Sequence, residues 1–424
     1  MTKLNDEAWD ALFSENNVLP SIYKNGKVQV SADTMKNYRE PRLMAKIDTI
    51  DLLPKIFKNN ELSILPIKNG EYVVFKDPGF QSFFKFSENF DQMRPIEHQP
   101  AKPITDFDSF CNLEYINESK ALDIALMTSL IKKFTNEQEI WLTIRGRQYT
   151  SNFQVLVPSM DKPLDISSVQ IEIDAGYESQ NAIYIFEAKI GRREDFNIRQ
   201  LLFPYLEWKN RTEKTVVPVF FYYTNDRYYF FQFSLGNSLD ASNIVKQACY
   251  RLSDPEVFDL HQIISEGILD NSLSLGIPFP QANDLNKVID TVSLVNQGYS
   301  TKQELSEIFE FDERQGDYYA NAGRYLGFLD REGTSFSVSA IGKRLLRLSS
   351  PSMRAGLITE QLIRRPVFHQ ILHQLLHNNL DISSLDSIDI SQLVEGQTTL
   401  GGSTPQRRAS TVIQWIKWIF DYAE

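Results

Sequence analysis

The stretch QIEIDAGYESQNAIYIFEAKIG, residues 170 to 191, constrains the fold of this chain more than any other part of the sequence. Its two apolar runs alternate in the manner of two neighbouring β-strands. The charged residues within these runs are Glu172, Asp174, Glu178, Glu187 and Lys189. An unpaired charge inside a protein core costs several kcal/mol, so charges on buried strands need a structural or chemical purpose.

Strand geometry predicts which of these side chains can meet, because positions i and i+2 share a face. Glu187 and Lys189 are expected on one face together with Ile185, and Ala188 on the other. We expect Asp174 to end the preceding strand, so that the turn AGYESQN brings its carboxylate beside Glu187. The alternative is a surface hairpin with one charged face, which the surrounding apolar residues disfavour.

The residue types predict a particular chemistry. Two carboxylates that meet at a strand end can bind Mg²⁺, which takes oxygen ligands at about 2.0 to 2.1 Å and keeps several waters. We expect Asp174 and Glu187 to be these ligands, with the backbone carbonyl of Ala188 as a candidate third. A protonated Lys189 cannot bind the ion, but it can orient or help to deprotonate an attacking water. Together these residues predict metal-assisted hydrolysis of a phosphodiester.

Three segments of the chain differ in pattern. The N-terminal segment, residues 1–106, mixes turns with short apolar runs and predicts a small α+β domain. The central segment, residues 107–275, predicts the order α-β-β-β-α-β, a mixed α/β sheet with helices on its faces, in which FQVLV could form a hairpin with EIWLTIRGRQY. The C-terminal segment, residues 285–424, is mostly helical. Three helices and then a hairpin near Thr334 to Ser337 predict a winged helix-turn-helix.

Composition narrows the partners and the compartment. The net charge of -11 gives no bulk attraction to nucleic acid or to an anionic membrane, so DNA binding would need local basic patches. Cys111 and Cys249 are too few for a disulfide framework. Neither a signal peptide nor an apolar run of about 20 residues is present, so we expect a cytoplasmic protein without a membrane partner.

The spacing D-x12-E-A-K, within the predicted α-β-β-β-α-β order, resembles the PD-(D/E)XK nuclease superfamily. The runs QIEIDAGYE, IFEAKIG and DFNIRQLLFPY are similar to bacterial type II restriction endonucleases that carry a C-terminal winged-helix region. The runs YREPRLMAKID, LPKIF and RRASTVIQWIKWI extend the similarity towards both ends. The resemblance implies that Asp174 and Glu187 bind the metal and that Lys189 is the catalytic lysine. Ile173 stands where the motif's name has proline.

The resemblance also implies a function. It is Mg²⁺-dependent, sequence-specific hydrolysis of double-stranded DNA, within a system that includes a cognate DNA methyltransferase. Cutting both strands usually takes two active sites, so a homodimer is expected. Two rivals stay open: a modification-dependent or repair nuclease of the same fold, and a non-catalytic winged-helix DNA-binding regulator.

Four residues near the three catalytic candidates have two interpretations each. Gln200, on the following helix, either braces the site or contacts the phosphate backbone, or is a surface residue. Glu172 is either a third acid or, as we favour, a partner of Arg145 or Arg147. Those two arginines either pair with the acids or reach a phosphate oxygen.

Candidate DNA contacts lie in two further places. The third helix of a winged helix enters the major groove. Its exposed candidates are Arg314, Gln315, Tyr318, Asn321 and Arg324. Lys343 and Arg344 follow the wing and suit phosphate contacts, although such a module can also serve protein interaction or dimerisation. Near the amino terminus, Arg39, Arg42 and Lys46 form a basic cluster, either a solvated surface or a base-reading element.

Overall fold

The computed structural model describes residues 2–86, 93–110, 113–114, 116–240, 242–254, 256–270, 276–398, 400–402 and 404–423. The protein is mixed α/β, with a large mixed sheet. The helices α1 to α17 are Thr2–Glu15, Val18–Asn25, Ala32–Met35, Pro41–Ala45, Lys55–Asn60, Glu118–Met127, Leu130–Thr135, Arg199–Lys209, Leu260–Glu266, Leu285–Asn296, Lys302–Phe309, Glu313–Tyr325, Ala340–Arg347, Pro351–Leu362, Pro366–His377, Ile390–Gln397 and Thr404–Phe420.

The strands form one large sheet and several small ones. The strands β1 to β16 are Lys27–Ser31, Leu62–Lys68, Glu71–Lys76, Phe83–Lys85, Ile96–His98, Trp141–Tyr149, Phe153–Val155, Leu164–Ile166, Gln170–Glu178, Ala182–Ile190, Asp195–Asn197, Thr215–Thr224, Arg227–Leu235, Ser242–Leu252, Leu329–Glu332 and Ser335–Val338. Seven of them form the large sheet in the order β5-β14-β13-β12-β10-β9-β6. Within the described residues, no helix has the length and apolar character needed to cross a membrane.

Strand β10 lies in the interior of the large sheet, and every one of its residues is buried. It pairs with β9 in antiparallel and with β12 in parallel orientation. Parallel neighbours need a crossover connection, and α8 supplies it by packing against both β10 and β12. This arrangement covers the α8 face of the sheet just where Glu187 and Lys189 project.

The two faces of β10 have the composition that strand alternation predicts. Ile183 and Ile185 pack with α8 residues in one core. Phe186 and Ala188 pack on the opposite face, in the core that includes α6, α7 and much of the C-terminal segment. Period-two alternation therefore places Glu187 on the α8 face, next to the apolar residues that precede it.

The expectation that Asp174 ends its strand is wrong, because β9 continues to Glu178. The register between β6 and β9 shifts at this position. The partner of Gly176 is Ile144 and that of Ile173 is Gly146, so two residues of β9 face one residue of β6. Such an extra residue is a β-bulge, which bends a strand and changes where its side chains point.

The bulge interrupts the alternation of side chains along β9, so that residues two positions apart no longer share a face. Ile173 packs in the α8-side core, whereas Ala175, only two residues later, packs on the opposite face. Gly146, on the partner strand, has φ of +97°, a conformation that glycine adopts without a steric penalty. The side chain of Asp174 is therefore aimed by an irregularity within the strand and not by a turn after it.

A second correction concerns the strand pairing of FQVLV. Phe153–Val155 pairs with Leu164–Ile166 and not with β6. This pairing buries Val155, Leu164 and Ile166 in the α8-side core. These buried apolar contacts favour this pair over one with β6, which pairs with β9 and otherwise forms the edge of the large sheet.

The N-terminal segment forms a three-stranded antiparallel sheet, β1-β3-β2, covered by helices. Its core contains an aromatic cluster of Trp9, Phe13 and Phe57. The tip of the β2–β3 hairpin carries Gly70 at φ of +77°. Strand β4 pairs with β11. This pairing joins the N-terminal segment to the short stretch that follows β10 in the central segment.

The C-terminal segment contains α10, α11 and α12, then the antiparallel pair β15–β16, then α13. It docks on the tip of the β12–β13 hairpin, where Asn225 and Asp226 both have positive φ. The fully buried Arg354 donates from Nε to Oδ1 of Asn225 at 3.0 Å and pairs with Asp226. Thr224 adds a hydrogen bond to Asp290 at 2.7 Å. Polar contacts thus fix the C-terminal segment to the large sheet.

Replacing the buried guanidinium should therefore destabilise the protein. Arg354→Ala removes the donor to Oδ1 of Asn225 and the cation that pairs with Asp226, and breaking a buried pair from one side typically costs about 3 kcal/mol or more. Arg344→Ala is the matched control: its 3.8 Å pair with Glu360 is well exposed, and such pairs contribute less than about 1 kcal/mol. Urea unfolding measures both, and equal stabilities of the two variants would contradict this role of Arg354.

Candidate active site

A cleft of about 670 Å³ lies where the N-terminal segment, the large sheet and the C-terminal segment meet. Its walls include six of the residues singled out from sequence: Arg42, Glu172, Asp174, Glu187, Lys189 and Gln200. The two carboxylate ligands, the lysine and the residue from the following helix therefore share one solvent-connected space.

Asp174 and Glu187 come from adjacent strands. In the β9–β10 register the last pair is Phe186 with Ala175, and Glu187 and Asp174 are the residues that adjoin that pair on the two strands. The Asp174 carboxylate accepts, through Oδ2, a 2.7 Å hydrogen bond from the backbone N–H of Ala188. This bond fixes the Asp174 side chain at the edge of β10, beside Glu187.

Glu187 and Lys189 are held in contact in the floor of the cleft. Oε1 of Glu187 accepts hydrogen bonds of 2.8 Å from Nζ of Lys189 and of 2.8 Å from Nε2 of Gln200. Both side chains of the Glu187–Lys189 pair are about 10% exposed. Gln200 thus braces the site, which is one of the two interpretations that the sequence allowed.

Burial sets the charge states of these groups. It raises the pKa of Glu187 to about 8, even though Lys189 acts in the opposite direction. Burial also raises the pKa of Asp174 against the effect of the same lysine. Burial alone would lower the pKa of Lys189, but the carboxylates of Glu187 and Glu310 outweigh it and raise that pKa. The site therefore holds a stable ammonium beside two carboxyl groups that are reluctant to ionise.

These donors suit a hard cation. The carboxylates of Asp174 and Glu187 each use one oxygen in the hydrogen bonds described above. The second oxygen of each can bind a metal ion. The Ala188 carbonyl lies on the same edge of β10 as its N–H, towards Asp174, because both groups of a strand residue point to the same side. The buried Oε1 of Gln200 has no partner among the described residues and can accept from a metal-bound water. These features fit Mg²⁺, which keeps water in its coordination sphere.

The candidate metal site rests on two carboxylates and not on a larger cluster. Nowhere in the described parts of the chain do three or more His, Cys, Asp or Glu side chains come together as metal ligands. Two carboxylates with a carbonyl and several waters is a usual way in which proteins bind Mg²⁺.

The two arginines of β6 do different things. Arg147 lies 3.6 Å from Glu172, with both side chains more than half exposed, which is one of the pairings proposed from sequence. Arg145 donates from Nε to the backbone carbonyl of Asp174 at 3.1 Å and from its terminal nitrogen to Asp123 at 2.7 Å. Arg145 therefore holds the bulge from which the Asp174 side chain projects.

Four acids that line the cleft were missed from sequence, Asp48, Glu118, Glu307 and Glu310, and two of them, Glu118 and Glu310, interact with the catalytic candidates. Glu118, the first residue of α6, is half-buried and interacts electrostatically with Lys189 and Asp174, and burial raises its pKa. Glu310 follows α11 and reaches the same lysine. The sequence did contain a local signal for the position of Glu118, because Asn117 marks the start of α6 and Glu118 is the first residue after this cap. No local pattern marks Glu310, since its contact depends on how the C-terminal segment docks.

Basic side chains line the cleft as well. Arg42 and Lys46 belong to the basic cluster proposed from sequence, and the structure adds Lys68 and Arg199. Arg42, Lys46 and Lys68 are exposed, whereas Arg199 is partly buried against Asp48 at 3.2 Å. Three of the four come from the N-terminal segment. Arg39 points elsewhere, donating to Asn5 at 2.7 Å.

The expectation that the candidates on α12 are exposed is wrong for most of them. Asn321 is buried, donates to the side chain of Asp317 at 2.9 Å and accepts from Arg324 at 2.9 Å. Gln315 donates to Asp51 of the N-terminal segment at 3.4 Å. Packing of α12 against α10, α11 and β15 explains this burial.

The remaining candidates of the C-terminal segment differ in exposure. Tyr318 is half-buried, whereas Arg314 is exposed. Lys343 and Arg344 are also exposed, just beyond the β15–β16 hairpin. This leaves the start of α12 and the start of α13 as the accessible basic positions among those proposed.

Comparison with known proteins finds three family matches along the chain. Residues 6–74 match DUF6996, residues 79–251 match DUF6997 and residues 287–424 match DUF7226. All three are described as domains of unknown function. No curated protein and no solved structure matches the chain. The family descriptions state no activity.

Magnesium binding should release a proton below about pH 8. The cation binds the ionised form of Glu187, and burial raises the pKa of this carboxyl from 4.5 to about 8, so the group is mostly protonated at neutral pH. The apparent affinity should rise up to about tenfold per pH unit below that value and level off above it. Calorimetry in buffers of different ionisation enthalpy measures the proton, and a flat affinity between about pH 6 and 8 would contradict it.

Proposed function

We propose that this chain is a Mg²⁺-dependent, sequence-specific endonuclease of double-stranded DNA, of the type II restriction class, with a PD-(D/E)XK core. One observation carries the proposal. The carboxylates of Asp174 and Glu187, from adjacent strands, lie beside the buried ammonium of Lys189 in the floor of one cleft. That is the set of groups that metal-assisted phosphodiester hydrolysis requires.

The arrangement of the central segment supports the proposal. Along the chain, α6 and α7 are followed by β6, β9, β10, α8 and β12, with short β7, β8 and β11 in between. The three strands β6, β9 and β10 are antiparallel neighbours, and the α8 crossover makes β12 parallel to β10. This agrees with the α-β-β-β-α-β order of the proposed core, with the acids on its second and third strands.

The chain's own residues have distinct tasks in the proposed reaction. Mg²⁺, when bound, supplies positive charge and lowers the pKa of a coordinated water. Asp174 and Glu187 would hold the ion, with the Ala188 carbonyl beside them. Lys189 orients the attacking water and offsets negative charge as the phosphate oxygens develop it. Gln200 fixes the Glu187 carboxylate through its amide N–H and offers its oxygen to water.

Local basic groups supply the phosphate contacts that a net charge of -11 does not. Arg42 and Lys68 project from the N-terminal segment into the cleft, near the acids. Lys343 and Arg344 are a second exposed pair, far along the chain. Phosphate contacts at the first pair would position the scissile strand, and base contacts would give the specificity.

Two partners belong to the proposal. The proposed site would cut one DNA strand. A homodimer with twofold symmetry would present two such sites to the two strands of a palindromic sequence. A restriction enzyme is also accompanied by a DNA methyltransferase that protects the host DNA. Neither partner needs to contact the cleft.

The direct test is digestion of unmethylated phage DNA with the purified protein and Mg²⁺. We expect discrete fragments on a gel, and none when EDTA removes the metal ion. Fragments only from methylated or structured DNA would support a modification-dependent or repair nuclease instead. Sequence-specific binding with no product would support the winged-helix regulator and contradict the proposal.

Two variants assign the roles. Asp174→Ala and Lys189→Ala should each reduce cleavage by about 100-fold or more, because they remove a ligand or the group that orients the water, while DNA binding in Ca²⁺ stays close to that of the wild type. Glu178→Gln is the matched control on the same strand as Asp174, where its carboxylate pairs with Lys214. Retained cleavage in either alanine variant would refute its assigned role.

A further inference from the structure

The C-terminal segment places an acid on the proposed catalytic lysine. Glu310 directly follows α11, lines the cleft and is buried. Its Oε1 lies 3.6 Å from Nζ of Lys189, the group that also donates to Glu187 at 2.8 Å. The ammonium therefore has two carboxylate neighbours, of which only Glu187 belongs to the sheet.

Glu310 is held in place by groups from the N-terminal and central segments. Its Oε2 lies 3.3 Å from Nε of Arg193, a buried residue just after β10. Arg193 in turn donates to the backbone carbonyls of Ile190 at 2.9 Å and Ile308 at 3.0 Å. Thr49, in the N-terminal segment, donates from its hydroxyl to the carbonyl of Glu310 at 2.6 Å.

The backbone of Glu310 is also unusual. Its φ is 58°, in the left-handed region that non-glycine residues seldom adopt. Glu310 is the residue at which α11 ends, and helices commonly end in this conformation; the Thr49 hydroxyl and the buried Arg193 then fix its carbonyl and its carboxylate. The carboxylate of Glu310 is therefore a constructed feature of the cleft and not a freely moving surface group.

The reason for a second carboxylate follows from the proposed reaction. A cation bound by Glu187 draws on the same carboxylate that holds the ammonium of Lys189. A buried ammonium without a counter-ion is strongly disfavoured, so it would move or lose its proton. Glu310 offers a counter-ion that the metal does not use.

We infer that Glu310 is a positioning residue, which holds the ammonium of Lys189 at the attacking water once a cation occupies Glu187. This inference rests on the proposed nuclease function. It makes the active site composite, because docking of the C-terminal segment completes it. Correct seating of α11 on the sheet is then a condition for cleavage, in addition to any role of that segment in binding DNA.

The test compares Glu310→Gln with Glu307→Gln, a matched control from α11, the helix that Glu310 follows. Glu307 lines the same cleft and accepts a 3.4 Å hydrogen bond from Gln303. Under single-turnover conditions we expect Glu310→Gln to slow cleavage by about tenfold or more, since a catalytic group misplaced by about 1 Å can cost about 100-fold. Its Kd for DNA in Ca²⁺ should change by less than about twofold, and Glu307→Gln should cleave at close to the wild-type rate.

Two further variants separate positioning from folding. Glu310→Asp keeps the charge and should recover part of the lost rate. Thr49→Val removes the hydroxyl that holds the Glu310 backbone without changing any charge, and it should slow cleavage less than Glu310→Gln does. If Glu310→Gln does not fold, Thr49→Val alone decides: a wild-type rate in that variant would overturn the inference.

The outcomes also distinguish the inference from the function on which it rests. A wild-type protein that cleaves no DNA with Mg²⁺ refutes the nuclease proposal, and the inference with it. A wild-type protein that cleaves, together with Glu310→Gln at the same rate, overturns the inference alone. Equal losses of cleavage and DNA binding in Glu310→Gln would indicate a purely structural role and would also overturn it.

Discussion

The ammonium of Lys189 lies in the floor of a cleft with its side chain about 10% exposed, and much of the surrounding structure stabilises that one charge. Glu310 from the C-terminal segment compensates it, and the Glu187 carboxyl group on the same strand accepts its hydrogen bond, while Gln200 and Arg193 hold these two side chains. Because desolvating a charge is costly, such an arrangement is retained only where the surrounding groups fix it. A buried lysine beside two acids from adjacent strands, opening onto solvent, is the physical basis of the proposed hydrolysis.

Strand periodicity in the sequence predicted a considerable part of this site. Alternation along β10 placed Glu187 and Lys189 on one face and Ala188 on the other, because the period of two is a property of any strand. The position of Gln200 on the following helix and the pairing of Glu172 with Arg147 were both among the alternatives drawn from sequence. The bulge at Asp174 was not, since it depends on pairing with β6. Gly146, whose backbone needs positive φ, was the one local signal of it.

Features that arise from docking between distant segments could not be predicted from the sequence. Glu310 lies more than a hundred residues after Lys189, and no periodicity links the two. The same holds for α12, where a helical pattern predicted the element but not its burial. Asn321 and Gln315 were proposed as exposed DNA contacts, and the structure shows them engaged with Asp317 and Asp51. Conversely, the basic residues Lys46 and Lys68 gain importance only because the N-terminal segment forms a wall of the cleft.

The most direct measurement is the position of a bound metal ion. Crystals soaked with Mn²⁺, a redox-stable substitute for Mg²⁺ with an anomalous X-ray signal, would show where a divalent cation binds. We predict one anomalous peak at about 2.0 to 2.3 Å from a carboxylate oxygen of Asp174 and a carboxylate oxygen of Glu187, with Nζ of Lys189 nearby but outside the coordination sphere. An empty site under saturating Mn²⁺, with Lys189 still bonded to Glu187, would contradict the shared-cation claim on which the proposed function depends.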